Sequence, residues 1–322
     1  MKICITNLKF KLMRGLLLML NCILLIIGFI MLIKGADVFV DNAAYIAKRF
    51  GIPSIIVGLT IVAIGTSAPE FSVSVSSALA GMPDMSVANV TGSIIFNLLC
   101  VLGISSLIGN LKIEHYKDII VMTLSGVLLF ILAFDGNLSF IDGLILLTAF
   151  IGYTMNLIYK SFKNNNDTEE ECENRYMILV ILMSILGLLL IVWGGNIVVD
   201  SASGIAAQLG MSENLIGLTV VAVGTSLPEL VTSVVATKKG EMDIAIGNVI
   251  GSNIFNIILI LGSVSVICPI NIAVISIIDM ICILLMFMVF IIFTAKDNLL
   301  NKWEGIVLIL IYIVYIAFTI VR

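Results

Sequence analysis

The chain has 322 residues, of which 60% are hydrophobic and 12% charged, with a formal net charge of -4. Soluble globular chains hold about 45 to 50% apolar and about 25% charged residues, so this composition, with a mean hydropathy of +1.19, describes an integral membrane protein. The balance of charge gives nucleic-acid binding no basis, and the six cysteines lack any C-x-x-C spacing, which removes a disulfide framework and a zinc site from consideration.

Lys2, Lys9, Lys11 and Arg14 mark an N-terminal segment, residues 1–14. Residues 15–33 are apolar and lack a small-residue cleavage site after them, which predicts a membrane helix and not a removed signal peptide. The helical pattern continues to about Arg49, giving a long, tilted first helix whose second half carries Lys34, Asp37 and Asp41. Apolar runs at 54–80, 84–108, 116–134 and 140–161 complete a first group of five spans, residues 15–161. Residues 162–176 are polar and acidic, with Glu169, Glu170, Glu171 and Glu173, and read as a solvated linker. Runs at 177–208, 213–239, 243–267, 272–294 and 303–321 make a second five-span group, residues 177–322.

The two groups are copies. Gly65-Thr66-Ser67-Ala68-Pro69-Glu70 returns as Gly224-Thr225-Ser226-Leu227-Pro228-Glu229, 159 residues later, and 30 of 69 positions are identical between 35–103 and 194–262. Five is odd, so the second copy enters the membrane upside down, the inverted-repeat arrangement of secondary transporters. The expected fold is an all-α membrane protein of ten transmembrane helices, two inverted five-helix repeats with helices broken at the midplane.

A carboxylate inside a membrane span costs about 2.5 to 3.5 kcal/mol, so Glu70 and Glu229 call for a function. Pro69 and Pro228 have no N–H, which frees the carbonyls of Gly65 and Gly224 beside those carboxylates. Within lipid such oxygens persist only where a cavity, water or a cation satisfies them. Thr66 and Thr225, four residues before their glutamates, add hydroxyls on the same helical face. A second duplicated motif places Ser93 with Asn97 and Ser252 with Asn256 on shared faces. At about 1.5 Å of rise per residue, the glutamates and these asparagines fall within about 5 Å of the midplane. This set of hard oxygens suits calcium, which takes six to eight oxygen ligands, and sodium too. Ser93 and Ser252 fit equally as small residues that let helices approach.

G-T-S-x-P-E paired with G-N-V-x-G-S-x-x-x-N, in duplicate over nearly the whole chain, resembles the sodium/calcium exchanger family of the cation/calcium exchanger superfamily, in its prokaryotic form. The resemblance implies that Glu70 and Glu229, with the backbone carbonyls of Thr66 and Thr225, bind calcium. It further implies sodium sites built by Ala63, Ala222, Ser67, Ser226, Ser93, Ser252, Asn97 and Asn256, and a gate formed by the first and sixth helices sliding together. Two departures stand out. Asn256 occupies a position where potassium-dependent relatives carry Asp, and Ala88 and Ile94 replace the Gly247 and Asn253 of the second copy.

The expected function is therefore antiport of sodium for calcium by alternating access in the cell membrane, with a calcium/proton antiporter or a cation channel as alternatives. No serine has a histidine or lysine partner at membrane depth, so no enzyme is expected, nor any cofactor beyond the transported ions. The expected partners are calcium and sodium ions and the lipid bilayer. Asp84 and Asp243 precede helices and read as caps, Asp37, Asp41 and Asp200 as interfacial acids or ion guides, and His115 as a loop residue. With both termini outside and the linker cytoplasmic, inner loops hold eleven Lys and Arg residues against five outside. The N-terminal positives oppose that count, and a start at Met13 in place of Met1 would remove three of them.

Overall fold

A computed structural model of the chain describes residues 2–113, 116–163, 175–211 and 222–321. Its helices are α1 (Lys2–Arg49), α2 (Ser54–Thr66), α3 (Ala68–Leu79), α4 (Pro83–Ile108), α5 (Tyr116–Leu132) and α6 (Phe140–Lys163). The second half contributes α7 (Met177–Gln208), α8 (Ala222–Gly224), α9 (Leu227–Lys238), α10 (Met242–Ile267), α11 (Val274–Asp297) and α12 (Lys302–Val321). Nothing interrupts α1, so the charged residues 2–14 share a helix with the apolar stretch after them. His115 and most of the acidic linker lie outside the described residues.

Among the described residues, seven helices are long and apolar enough to cross a membrane, or eight when α2 and α3, bent by 46° at Ser67, count as one span. α5 has 17 residues and falls just short of that length criterion, and the run expected at 213–239 lies in part outside the described residues.

The protein is helical but not purely so. Among the described residues, four two-residue strands, β1 (Leu111–Lys112), β2 (Asn137–Leu138), β3 (Ile270–Asn271) and β4 (Leu299–Leu300), cap helix ends in antiparallel pairs β1 with β4 and β2 with β3. Two residues cannot display the alternation that marks a strand, so sequence gave no sign of them. β1 corresponds to β3, 159 residues on, and β2 to β4, 162 residues on. β1 and β2 flank α5, yet each pairs with the counterpart of the other.

Close glycine crossings hold the longest helices together. α1 and α7 pack antiparallel: a Cβ on Gly35 would meet the Gly187 carbonyl oxygen at 2.8 Å, and one on Gly194 would meet the Gly28 carbonyl oxygen at 2.8 Å. Small residues permit such approach where no hydrophobic drive separates helix from lipid. α2 meets α10 in the same way, since a Cβ on Gly247 would lie 2.7 Å from the Ile55 oxygen and one on Gly251 the same distance from the Ala63 Cβ. Every residue from Ile244 to Phe255 in α10 is buried, whereas α1, α7 and α12 expose Ile26, Ile30, Ile178, Leu182 and Val314. α10, α4 and the broken helices thus form the centre, and the exposed apolar side chains face lipid.

Gly35→Ala inserts a methyl into the α1–α7 crossing and is expected to destabilise by about 1 to 3 kcal/mol. Gly152→Ala, in α6 with nothing within 4 Å of the added carbon, is expected to stabilise by about 0.5 to 1 kcal/mol. Thermal unfolding in detergent checks the opposite signs.

Candidate functional site

The break between α2 and α3 is a single residue, Ser67, with φ -83° and ψ 7°, and Pro69 follows in the first turn of α3. The second copy repeats it at Ser226, φ -92° and ψ 6°, before Pro228 in α9. Each break aims the first turn of a new helix, whose unpaired N–H groups favour negative charge, at the protein centre. Glu70 and Glu229 sit in those turns, and both are 0% exposed.

The two halves bond each other's carboxylates. Ser67 Oγ donates to Glu229 Oε1 at 2.8 Å and lies 2.9 Å from Ser252 Oγ; Ser226 Oγ donates to Glu70 Oε1 at 3.0 Å and lies 2.9 Å from Ser93 Oγ. Each serine that interrupts a helix in one half therefore serves the glutamate of the other. Ser93 and Ser252, for which packing was an equal reading, are members of these clusters.

Ser67 and Ser226 separate Thr66 and Thr225 from the helices that carry Glu70 and Glu229. Thr66 Oγ1 donates across the interface to Asn248 Oδ1 at 2.9 Å and also bonds the Glu229 side chain, so its hydroxyl stays beside a carboxylate but that of the opposite half, and Thr225 Oγ1 lies 3.5 Å from Asn89 Oδ1. Asn248 Nδ2 in turn donates to the Glu229 carbonyl at 3.3 Å and to Ser233 Oγ at 2.9 Å, while Asn89 Nδ2 does the same for Glu70 at 3.4 Å and Ser74 at 3.0 Å. Asn89 and Asn248 were not selected as site residues from the sequence. The signal was available, since both repeat at the 159-residue offset beside the second motif.

Asn97 and Asn256 are fully buried at the start of π-helical stretches, Phe96–Val101 and Asn256–Leu261, inside α4 and α10. A π segment widens the turn and leaves backbone oxygens less completely paired, which is why such stretches gather at functional sites. Ala63 is buried against α10 at the end of a third π segment, Gly58–Val62. The side chain of Ala222 lies outside the described residues. Asp84 and Asp243 occupy first turns whose N-caps are Met82 and Glu241, so they sit in the favourable field of the helix end and not at the cap itself.

Unmet polar groups concentrate here. Glu70 Oε2, Glu229 Oε2 and both amide atoms of Asn97 and Asn256 are buried without a hydrogen-bond partner. Such groups carry a cost of about 1 to 3 kcal/mol each, and more when charged. The unpartnered carboxylate oxygens of Glu70 and Glu229, with the Ser67, Ser93, Ser226 and Ser252 hydroxyls around them, are hard oxygens of the kind a calcium or sodium ion takes. A cavity of about 480 Å³ opens beside it, lined by Ser72, Asn196, Asp200 and Ser203 and reaching Thr225 and Pro228.

The family profile described as "Sodium/calcium exchanger protein" matches residues 20–159 and 179–321. The chain belongs to the sodium/calcium exchanger family. Among this family's members, the sodium/calcium exchanger MaX1 of Methanosarcina acetivorans is 31% identical over 345 residues, covering 92% of this chain and 97% of that protein. The inner membrane protein YrbG of Escherichia coli is 36% identical over 264 residues, covering 78% of this chain and 81% of its own length. The solved structure of the sodium-calcium exchanger NCX_Mj, soaked with 2.5 mM Na+ and 0.1 mM Ca2+, superposes with a TM-score of 0.83 at 33% identity, over 92% of this chain and 98% of that one. Membership in this exchanger family makes sodium and calcium ions in a membrane the relevant substrates.

Asn248→Ala leaves the Thr66 hydroxyl, the Ser233 hydroxyl and the Glu229 carbonyl without their shared partner. The expected loss of stability is about 2 to 4 kcal/mol, larger than for Asn89→Ala, whose contacts are longer. Thermal midpoints of the two purified variants test the order.

Proposed function

We propose that this member of the exchanger family moves calcium against sodium by alternating access, with Glu70 and Glu229 holding the ions at the midplane. The observation that carries the reading is the pair of buried carboxylate oxygens, one from each half, left without protein partners. Thr66 and Thr225 would add backbone carbonyls, and Ser67, Ser226, Ser93, Ser252, Asn97, Asn256, Ala63 and Ala222 would complete the sodium positions. Two carboxylates balance one calcium or two sodium ions, so a single site can exchange them without burying a large net charge.

The architecture in this reading is ten spans in two inverted repeats, 15–161 and 177–322, joined by the linker 162–176. Its support is the antiparallel crossing of α1 with its own counterpart α7, and the strand pairing in which each strand joins the counterpart of its neighbour. Both termini lie outside and the linker in the cytoplasm, on the strength of the Lys and Arg count. The protein is a transporter without enzymatic activity or resident cofactor. The sodium assignment is supported by the names of MaX1 and NCX_Mj, which call those relatives sodium/calcium exchangers.

In sodium-loaded proteoliposomes, calcium-45 uptake should begin when external sodium is removed. Uptake indifferent to the sodium gradient, yet driven by a pH gradient in sodium-free buffer, would assign the site to proton coupling. Glu70→Gln and Glu229→Gln keep shape but each remove one charge from a desolvated divalent site, and each should lower uptake at least about tenfold. Folded, inserted variants that exchange at the wild-type rate would leave the paired motif a structural one.

A further inference from the structure

The duplicated halves are nearly symmetric around the carboxylates and sharply asymmetric on the two sides of them. On one side, Asn196 and Asp200 of α7 line the open cavity with Ser72 of α3. Their counterparts, 159 residues away, are Asp37 and Asp41 of α1 and Val231 of α9, and here the same region is closed. Leu32, Ala36 and Val40 form a buried cluster with Leu227, Val231 and Val235 packed against it. Gly195, Ala68 and Ser72 occupy the equivalent positions of Ala36, Leu227 and Val231 on the open side, so that side has smaller or more polar residues where the closed side has a plug.

Over the plug lies a charge contact that its counterpart lacks. Lys239, at the C-terminal end of α9, places Nζ 2.7 Å from Asp37 Oδ1 and 2.6 Å from Asp41 Oδ1, and donates to the Asp37 backbone oxygen at 3.2 Å. It thereby pins α1 to the broken helix that carries Glu229. The residue corresponding to Lys239 in the first half is Ala80, exposed at the end of α3, and it has no charge to offer Asp200. Lys48 reinforces the closed side with a longer ion pair to Glu241, 3.8 Å.

We propose that Lys239 with Asp37 and Asp41 is a latch that holds one face of the exchanger shut, and that its absence at Ala80 biases the protein toward opening at the opposite face. The two acids one turn apart on α1, half-exposed as interfacial residues, thus gain a role as the partners of Lys239. For the closed face to open, α1 must leave α9, so the contacts of Lys239 must break. In the orientation proposed above the latched face is the cytoplasmic one. A partly exposed ion pair is weak singly, but it needs only to tilt a balance between two nearly equivalent packings. It is also screened by salt, so the bias should fade as ionic strength rises.

The inference rests on the alternating-access reading, and labelling separates the two because it does not depend on which ion is exchanged. Val231→Cys reports access behind the latch and Ser72→Cys access in the open cavity, each in a chain whose six native cysteines are replaced by serine, reconstituted and treated on either face with a membrane-impermeant maleimide. With Lys239 intact, Ser72→Cys should react fast and Val231→Cys slowly. Lys239→Ala should raise the Val231→Cys to Ser72→Cys rate ratio about fivefold, the upper end for exposed ion pairs. Ala80→Lys, which builds the missing contact opposite Asp200, should lower the ratio, and high salt should reproduce Lys239→Ala in the parent only. A ratio unmoved by Lys239→Ala, or both cysteines accelerated together as in a loosened fold, would overturn the latch. If sodium-dependent calcium-45 flux persists in the same vesicles, that failure falls on the latch alone; absence of such flux with Lys239 intact falls on the exchange reading.

Discussion

Two carboxylates share the buried centre of this protein, and each is held by a serine from the opposite half. Ser67 bonds Glu229 and Ser226 bonds Glu70, so neither repeat completes its own acidic group. Docking of the halves offsets part of the cost of burying Glu70 and Glu229, which links assembly of the fold to assembly of the site. The broken helices follow from the same need. A straight helix would turn Ser67 and Glu70 onto neighbouring faces of one rod, whereas the kink at Ser67 lets its hydroxyl reach across while Glu70 begins a new helix. Asn89 and Asn248 then fasten the backbone of each glutamate to its neighbouring helix.

Symmetry at the centre and asymmetry at the flanks divide the work. The centre must present a similar oxygen set to ions arriving from either side, and matched Ser, Asn and Glu positions provide that. The flanks must differ at any moment, because a passage open on both sides would dissipate the gradient that drives exchange. Glycine crossings between α1 and α7 keep these two helices close to each other while α1 is packed against α9 and α7 borders the cavity. Under the alternating-access proposal, a pair of helices that touches both flanks is placed to couple closing on one side to opening on the other.

Much of this was legible in the sequence for a physical reason: a polar residue inside an apolar run is costly, so its repetition at a fixed offset is informative. Glu70, Glu229, Asn97 and Asn256 stood out on that ground, and the structure brings the glutamates into one buried cluster with Ser67, Ser93, Ser226 and Ser252. What escaped was whatever depended on departures from ideal helix geometry. Spacing puts each threonine hydroxyl beside the glutamate of its own half, whereas Thr66 reaches Asn248 and Glu229 of the other half and Thr225 approaches Asn89. The π stretches at Asn97 and Asn256 have no sequence signature, and the two-residue strands are too short for one. Asp37 and Asp41 are half-exposed, in keeping with interfacial acids, but their partner Lys239 is about 200 residues distant in the chain and only packing brings it near.

If one cation is held jointly by the two glutamates, its position gives it away. Crystals of the protein soaked in strontium, a heavier stand-in for calcium, give an anomalous difference map in which the ion marks itself. The account predicts one dominant peak between Glu70 and Glu229, at about 2.3 to 2.6 Å from a carboxylate oxygen of each or slightly longer for the larger ion. A map with no peak there, or with its dominant peak at Asp200 or at Asp37 and Asp41, would contradict it.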